Sequence, residues 1–354
     1  MIRRDFLASG IAVLAAGALP AHAGSLANSM ADFTASNRFY GIVQQARNGK
    51  PLRARTYGYA NIEDRRTMKL ETPFGVASIS KWFTAITLLR LAEQGRVNLD
   101  APIRTYLPAF RADTGGRVTL RHLLCNASGI PNNLTPAAKA DPGLLTAGLS
   151  TDEAIDRFCQ GAPTFAPMER FDYAVTNWII LLGVVEKVTG QPFKTAVDQL
   201  TLSPLGLRDT RADDQYAQDE KTAISYATID PPQRRISPRP AYTVAAGGYY
   251  STAADLLRAA HRVFDTGFLK EDSLNQLLGV QIEEYALGGR VKTLLVDGQP
   301  RRFAWETGNT MGFRSVLAHR LDTSETLIIL NNTNLSQKAL DDLAIDLFGA
   351  IRAG

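Results

Sequence analysis

A serine and a lysine stand three residues apart, at Ser78 and Lys81, where an apolar run begins. Residues at i and i+3 share one face of a helix, so the hydroxyl and the amine can meet there. A serine hydroxyl becomes a nucleophile when a base removes its proton, and a desolvated amine can act as that base. This is the only Ser-x-x-Lys in the chain, and a chance match is the alternative to a catalytic pair.

The segment after Ser78 predicts a buried helix that would position this pair. Apolar residues fill most faces from Trp82 to Ala92, and the run stops at Gly95. A helix that is apolar all round lies inside a protein rather than on its surface. A serine at its N-terminus would stand at the positive end of the helix dipole, which stabilises a developing oxyanion.

Further segments accompany the pair in a fixed order. They occupy residues 74–81, 93–100, 106–108, 119–124 (TLRHLL), 128–131 (SGIP), 204–207 (PLGL) and 246–256. In this order they resemble the beta-lactamase-related serine hydrolases, which include class C beta-lactamases, D-alanyl-D-alanine carboxypeptidases, D-aminopeptidases and esterases. The resemblance covers roughly residues 35–350.

This resemblance implies an α/β fold of the serine beta-lactamase and penicillin-binding-protein type, with an antiparallel sheet flanked by helices plus an all-helical domain. Strand-like runs near both ends of the chain, with helix-rich sequence between them, agree with that division. We predict a discontinuous α/β domain over 30–98 and 241–354 and a mainly helical domain over 99–240. The active site would lie in the cleft between the two parts.

Local patterns locate individual elements. Asn48-Gly49 and Asp297-Gly298 lie between apolar runs and predict hairpin turns. Gly190 is expected to end a buried helix. The other predicted elements are that helix (179–189), strands over 290–296, 315–319 and 327–330, and an amphipathic C-terminal helix over 338–351.

The family's second motif is a tyrosine followed two residues later by asparagine, and the matching tyrosine is Tyr173. The resemblance implies that Tyr173 shares proton transfer with Lys81. Val175 stands in the asparagine's position, and valine cannot donate a hydrogen bond. Asn177 either replaces the missing asparagine or caps a helix that begins at Trp178.

The third motif is Lys-Thr-Gly or His-x-Gly on a strand that lines the cleft, and the match here is Thr307-Gly308. The resemblance implies that the N–H groups of Asn309 and Ser78 form the oxyanion hole. Gly308 would let substrate lie close against the strand.

Glu306 stands where the family has a cation in this motif. If its carboxylate faces the cleft, it repels substrate carboxylates and favours the charged form of the Lys81 amine, which weakens that base. The alternative is that Glu306 points away and pairs with Arg301 or Arg302.

Composition limits the function classes. Lys and Arg number 39 against 35 Asp and Glu, for a net charge of +4 without a basic run, which disfavours a nucleic-acid partner. The four histidines are scattered without ligand spacing, so we predict no metal. The chemistry needs only side chains and water, so no cofactor is predicted. Cys125 and Cys159 either form a disulfide or stay as buried thiols.

Residues 1–23 have the pattern of a twin-arginine signal peptide. Arg3-Arg4 is followed by an apolar run and by Ala21-His22-Ala23, a small-residue cleavage site. The apolar run is too short to cross a hydrocarbon core of ~30 Å. We therefore expect a periplasmic or secreted protein with no stable membrane insertion after cleavage.

These patterns predict an exported serine hydrolase that forms an acyl-enzyme on Ser78. The substrate would be a small molecule or peptide carrying an ester or amide, as in an esterase or a D-amino-acid peptidase, because Val175 and an ionised Glu306 favour neutral or amine-bearing substrates. A catalytically weakened penicillin-binding-like protein that binds cell-wall fragments is one alternative. A class C-like beta-lactamase is a further alternative.

Overall fold

The computed structural model describes residues 30–352 apart from 31, 35, 213–220 and 236–237. The predicted signal peptide over 1–23 therefore lies outside the described residues. Within the described part, every helix is too short or too polar to cross a bilayer.

Fourteen strands occur in the described residues. They are β1 (Gly41–Arg47), β2 (Lys50–Tyr57), β3 (Tyr59–Asn61), β4 (Arg66–Thr67), β5 (Phe74–Gly75), β6 (Arg211–Ala212), β7 (Tyr226–Ile229), β8 (Pro232–Arg234), β9 (Tyr249–Ser251), β10 (Arg290–Val296), β11 (Gln299–Asn309), β12 (Arg314–Arg320), β13 (Glu325–Asn331) and β14 (Ala350–Arg352).

The helices lie mostly between β5 and β10. They are α1 (Ile79–Glu93), α2 (Ala112–Gly115), α3 (Leu120–Leu124), α4 (Leu134–Ala140), α5 (Thr151–Phe158), α6 (Val175–Thr189), α7 (Phe193–Val197), α8 (Ser203–Leu205), α9 (Val244–Gly247), α10 (Ala253–Asp265), α11 (Glu271–Leu278) and α12 (Gln337–Leu347), joined by short 3-10 turns and one π turn.

The central sheet has seven antiparallel strands in the order β14–β10–β11–β12–β13–β1–β2. Two of its hairpins turn at the predicted dipeptides. Asn48 and Gly49 have φ of 50° and 69°, and Asp297 and Gly298 have φ of 51° and 73°. Positive φ at both central residues matches the right-handed twist of the flanking strands, so these hairpin predictions are confirmed.

Strand alternation gives the sheet two apolar faces. On one face Trp305 and Val316 pack with α12, where the indole N–H of Trp305 donates to Asp341 Oδ1 at 3.2 Å. On the other face Leu317 and Ile328 join the larger core that contains α1 and α10. The expected fold of an antiparallel sheet flanked by helices is therefore confirmed.

The predicted buried helices are present, with shifted ends. α1 is buried along nearly its whole length. α6 begins at Val175, earlier than expected, and ends at Gly190 in the left-handed conformation (φ 71°). The C-terminal helix ends at Leu347 rather than at residue 351, because Gly349 turns the chain (φ 61°) and the following residues form the edge strand β14 beside β10.

The stretch between residues 99 and 240 contains α2 to α8 and also the short strands β6, β7 and β8. β6 joins β5 and β9 in a small three-stranded sheet. Since β5 directly precedes the loop of Ser78, this small sheet anchors the start of that loop. The division of the chain into two domains remains a prediction.

Both cysteines are buried free thiols rather than a disulfide. Cys125 Sγ lies 3.7 Å from the carbonyl oxygen of His122, and Cys159 Sγ lies 3.6 Å from that of Thr176. Burial raises the pKa of Cys125 to about 11 and also raises the pKa of Cys159. Neither thiol is a ready nucleophile in this fold.

Candidate active site

The predicted serine, lysine and tyrosine meet at one point. Ser78 is the N-cap residue of α1, yet its side chain makes no capping hydrogen bond. Instead its Oγ accepts hydrogen bonds from Lys81 Nζ at 3.2 Å and from the hydroxyl of Tyr173 at 2.7 Å. The hydroxyl therefore lies within direct proton-transfer distance of two basic or acidic groups.

The loop before Ser78 is held in an unusual backbone conformation. Ala77 has φ of 49°, a left-handed geometry that costs a non-glycine residue about 1–2 kcal/mol. Ser80 Oγ donates to the carbonyl of Ala77 at 2.5 Å, and Val76 N–H donates to the carbonyl of Tyr249 at 2.9 Å. Ser315 Oγ donates to the carbonyl of Val76 at 3.1 Å. These bonds hold the strained turn that presents the nucleophile.

Lys81 is only 2% exposed. Its Nζ donates to the carbonyl of Ala246, in α9, as well as to Ser78 Oγ. The same atom lies 4.8 Å from the ring centroid of Tyr173 and 5.5 Å from that of Trp178. The amine is thus fixed between the nucleophile, one backbone carbonyl and two aromatic faces.

Tyr173 reaches the site from the loop that precedes α6, and it is 38% exposed. The N–H of Asp172 donates to the carbonyl of Asn126 at 2.8 Å, which holds this loop. Behind it, the ring of Phe171 lies 6.4 Å from Tyr173 and 5.0 Å from Tyr285. Burial raises the pKa of Tyr285 well above its usual value, so its phenol stays neutral beside the site.

Asn177 lies inside α6 and is fully buried. Its Oδ1 accepts from Ser128 Oγ at 2.6 Å, and its Nδ2 donates to Asn126 Oδ1 at 3.3 Å. The proposed capping role is wrong, because the helix begins at Val175 with Ala174 as its N-cap residue. The amide of Asn177 is satisfied beneath the pocket, and Val175 lines the pocket in its place.

The third motif lies at the end of β11. β10 pairs with β11 only as far as Trp305, whereas β12 pairs with it as far as Asn309. Among the described strands, the edge from 306 to 309 is therefore open on one side. Asn309 lines the pocket that contains Ser78. No described residue accepts the N–H of Ser78, so this donor is available to an oxyanion.

Gly308 is required by a close approach within the protein. A Cβ at this position would lie 2.1 Å from both the carbonyl oxygen of Val76 and Ser315 Oγ. The glycine thus lets β11 pack against the loop of the nucleophile, whereas we had expected the close approach to be to substrate. By strand alternation, Thr307 lies on the same face of β11 as Trp305 and on the opposite face from Gly308.

Glu306 is 5% exposed and forms no ion pair with a described residue. Its carboxylate packs against Gly289, where a Cβ would lie 1.9 Å from Oε1 and 2.0 Å from Oε2. Arg301 pairs instead with Asp322 at 3.4 Å, and Arg302 donates to a backbone carbonyl. The alternative in which Glu306 pairs with either arginine is therefore wrong.

Burial raises the pKa of Glu306 well above its usual value, while the charge of Arg290 partly opposes that rise. Its carboxyl group is consequently held toward the neutral form. The other alternative, in which an ionised Glu306 repels carboxylate substrates, does not follow from a neutral group.

Ser78 opens into a pocket of about 500 Å³. One wall comes from α4, and another from the 238–243 segment and the turn after β11. The described lining residues are Ala77, Ser78, Lys81, Leu134, Thr135, Ala138, Lys139, Leu145, Tyr173, Val175, Pro238, Arg239, Pro240, Thr243, Ala246, Gly247, Asn309 and Thr310. These described lining residues include two lysines and one arginine and no aspartate or glutamate.

Among the lining residues that sequence reasoning missed, two matter most for the chemistry of the site. Ala246, whose carbonyl binds Lys81, lies in the 246–256 segment that carries the family resemblance, so that segment could have indicated it. Arg239 lies in a proline-rich stretch that matches no motif. Across the described residues, no group of histidine, cysteine or acidic side chains is arranged to hold a metal ion.

The fold and this arrangement of serine, lysine and tyrosine define a serine hydrolase of the penicillin-binding-protein type. A family model described as Beta-lactamase matches residues 26–350. The chain therefore belongs to the beta-lactamase family.

Several relatives are similar over most of the chain. Esterase EstB of Burkholderia gladioli is 32% identical over 262 residues, which are 64% of this chain and 66% of the esterase, just under two thirds of its length. Penicillin-binding protein 4* of Bacillus subtilis (strain 168) is 25% identical over 88% of this chain and 73% of its own. The crystal structure of a D-stereospecific amidohydrolase from Streptomyces sp. superposes with a TM-score of 0.74 at 26% identity, covering 91% of this chain and 98% of that one.

Proposed function

We propose that this protein hydrolyses an ester or amide through an acyl-enzyme on Ser78. One observation carries the proposal: Ser78 Oγ is hydrogen-bonded to both Lys81 Nζ and the Tyr173 hydroxyl. None of the described residues that line the pocket is a histidine, so these two groups supply the base and the acid.

In the acylation step, one proton moves from Ser78 Oγ to a base and then from that base to the leaving group. Ser78 Oγ attacks the substrate carbonyl carbon while its proton passes to whichever of Lys81 Nζ and the Tyr173 oxygen acts as the base. The carbonyl oxygen becomes an oxyanion that the N–H groups of Ser78 and Asn309 stabilise. The leaving alcohol or amine takes the proton, and an ester to Ser78 remains. Water then attacks that ester by the same route and releases the acid.

Esters are the first substrates to test, since an esterase is among the relatives, and D-amino-acid amides are the second, since a D-stereospecific amidohydrolase shares the fold. The preference for neutral or amine-bearing substrates depended on Val175 and, for its electrostatic part, on an ionised Glu306. Burial removes that argument, so carboxylate-bearing substrates belong in the same screen.

Intact-mass analysis after incubation with a fluorophosphonate probe tests the proposal. We expect one adduct on the wild type, none on Ser78→Ala, and none on heat-denatured wild type. Loss of the adduct should accompany loss of ester hydrolysis. An unlabelled wild type would overturn the proposal in favour of a protein that binds cell-wall fragments without chemistry.

We also propose that residues 1–23 direct export by the twin-arginine route to the periplasm or medium. The Arg3-Arg4 pair followed by an apolar run and a small-residue site supports this. In a cell fractionation, replacing both arginines with lysine should retain the precursor in the cytoplasm. Unchanged export of that variant would exclude this route.

A further inference from the structure

Arg239 is a buried cation without a hydrogen-bonding partner. The residue is 6% exposed, and none of its three guanidinium nitrogens finds an acceptor among the described residues. Its guanidinium carbon lies 4.9 Å from the ring centroid of Tyr250. It also packs on the backbone of Gly75, where a Cβ would lie 2.4 Å from Nη2.

Burying a cation without a hydrogen-bonding partner is energetically costly. Guanidinium groups are always charged in proteins, and a buried charge without an anion loses its hydration without compensation. The face of Tyr250 recovers only part of this through a cation–π contact. A second guanidinium, that of Arg211, lies 5.1 Å from the same ring. The surroundings therefore favour an incoming anion.

Arg239 lies at the pocket where substrate would bind rather than at a distant part of the surface. It lines the pocket of Ser78, where the exposed lysine Lys139 is a second basic lining residue. At Gly75 it lies beside Phe313, whose carbonyl accepts from the N–H of Thr310 in the turn that follows β11. That turn begins at Asn309, the second proposed donor to the oxyanion.

We propose that Arg239 is a specificity-determining residue that binds a carboxylate on the ester or amide that acylates Ser78. The inference rests on the proposed function and narrows its substrate class. The planar guanidinium can hold a carboxylate through two parallel hydrogen bonds. Because protein atoms cover all three nitrogens, the guanidinium would have to turn toward the pocket to bind that carboxylate.

Paired esters that differ in one carboxylate test the proposal. Para-nitrophenyl hemiglutarate and para-nitrophenyl butyrate place the charge on the acyl part. Para-acetoxybenzoate and its methyl ester place it on the leaving group. In the wild type, one of these two pairs should show the higher ratio of kcat/KM for the charged ester to kcat/KM for the neutral ester. In Arg239→Gln, that ratio should fall about ten- to hundredfold, mainly because KM for the charged ester rises.

Two further variants control this experiment. Arg239→Lys keeps the positive charge but loses the planar pair of N–H donors, so it should retain part of the selectivity for the charged ester. Lys139→Gln removes an exposed cation at the same pocket and should change the ratio less than about fivefold. An unchanged ratio in Arg239→Gln for both pairs, or an equal fall in Lys139→Gln, would overturn the assignment.

A binding measurement separates this proposal from the catalytic one. In the Ser78→Ala background, para-acetoxybenzoate should raise the melting temperature, and addition of Arg239→Gln should abolish that rise. The outcome does not depend on Ser78 being a nucleophile. If fluorophosphonate fails to label the wild type while this rise persists, the carboxylate site stands and the acyl-enzyme does not. If both Ser78→Ala proteins respond equally, Arg239 is not the site.

Discussion

Replacing Glu306 with glutamine is expected to remove a pH-dependent loss of stability. Burial holds the pKa of Glu306 well above its usual value of 4.5, and the charge of Arg290 offsets part of that rise. The folded protein therefore keeps a proton on Glu306 at pH values where the unfolded chain has lost it. Because the folded state binds that extra proton, the free energy of unfolding falls as the pH rises above 4.5.

The magnitude follows from the one proton involved. In the window between the unfolded and folded pKa values of Glu306, the slope approaches about 1.4 kcal/mol per pH unit. Glutamine keeps the shape of the side chain against Gly289 without a titrating proton. The free energy of unfolding of Glu306→Gln minus that of the wild type should therefore increase with pH across this window.

Urea unfolding followed by circular dichroism, in steps from about pH 4 to about pH 8, measures both free energies. Glu71→Gln removes an exposed carboxyl group and controls for the loss of a charge. A difference that stays constant with pH, or one that shrinks as the pH rises, would refute the conclusion that Glu306 is buried and neutral.

Three other substitutions test the remaining geometry. Tyr173→Phe removes the hydroxyl on the nucleophile and should lower kcat for an activated ester about 10²- to 10⁴-fold with little change in stability; full activity would exclude it from proton transfer. Gly308→Ala should cost about 1–3 kcal/mol of unfolding free energy, whereas Gly148→Ala, whose Cβ meets nothing within 4 Å, should change it by less than about 0.5 kcal/mol. Burial alone would raise the pKa of Asp265, but hydrogen bonds from His319 and a second histidine lower it to about 2. Its contribution is thus present above pH 3.8 and lost toward pH 2, so the stability gap of Asp265→Asn, about 1–2 kcal/mol after allowance for solvent screening, should close on acidification.

Local sequence patterns were sufficient to predict several elements of the fold. The two hairpins were predictable because Asn48-Gly49 and Asp297-Gly298 accept positive φ at low cost. The buried helix after Ser78 was predictable because its apolar residues cover every face. The end of α12 was not, since the pattern of apolar residues continues into the edge strand β14 and only the turn at Gly349 separates them.

Side-chain environment explains where site reasoning fell short. The charge of Glu306 depends on burial against Gly289, a residue that its own segment does not reveal. The hydrogen bonds of Asn177 depend on Asn126 and Ser128, which are distant in the chain. Arg239 belongs to no motif, and its importance appears only when its missing partners are known. The sequence gives the type of each side chain, whereas its protonation state and its hydrogen-bonding partners depend on the tertiary structure.

The loop before Ser78 has a consequence for how the protein can be assayed. Its geometry depends on Tyr249 and Ser315, and α9 supplies the carbonyl of Ala246 to Lys81, so segments from the middle and the end of the chain must be in place before the serine is aligned. A nascent or partly unfolded chain therefore lacks the reactive centre. The stoichiometry of covalent labelling at Ser78 would then count correctly folded molecules in a preparation, independently of total protein.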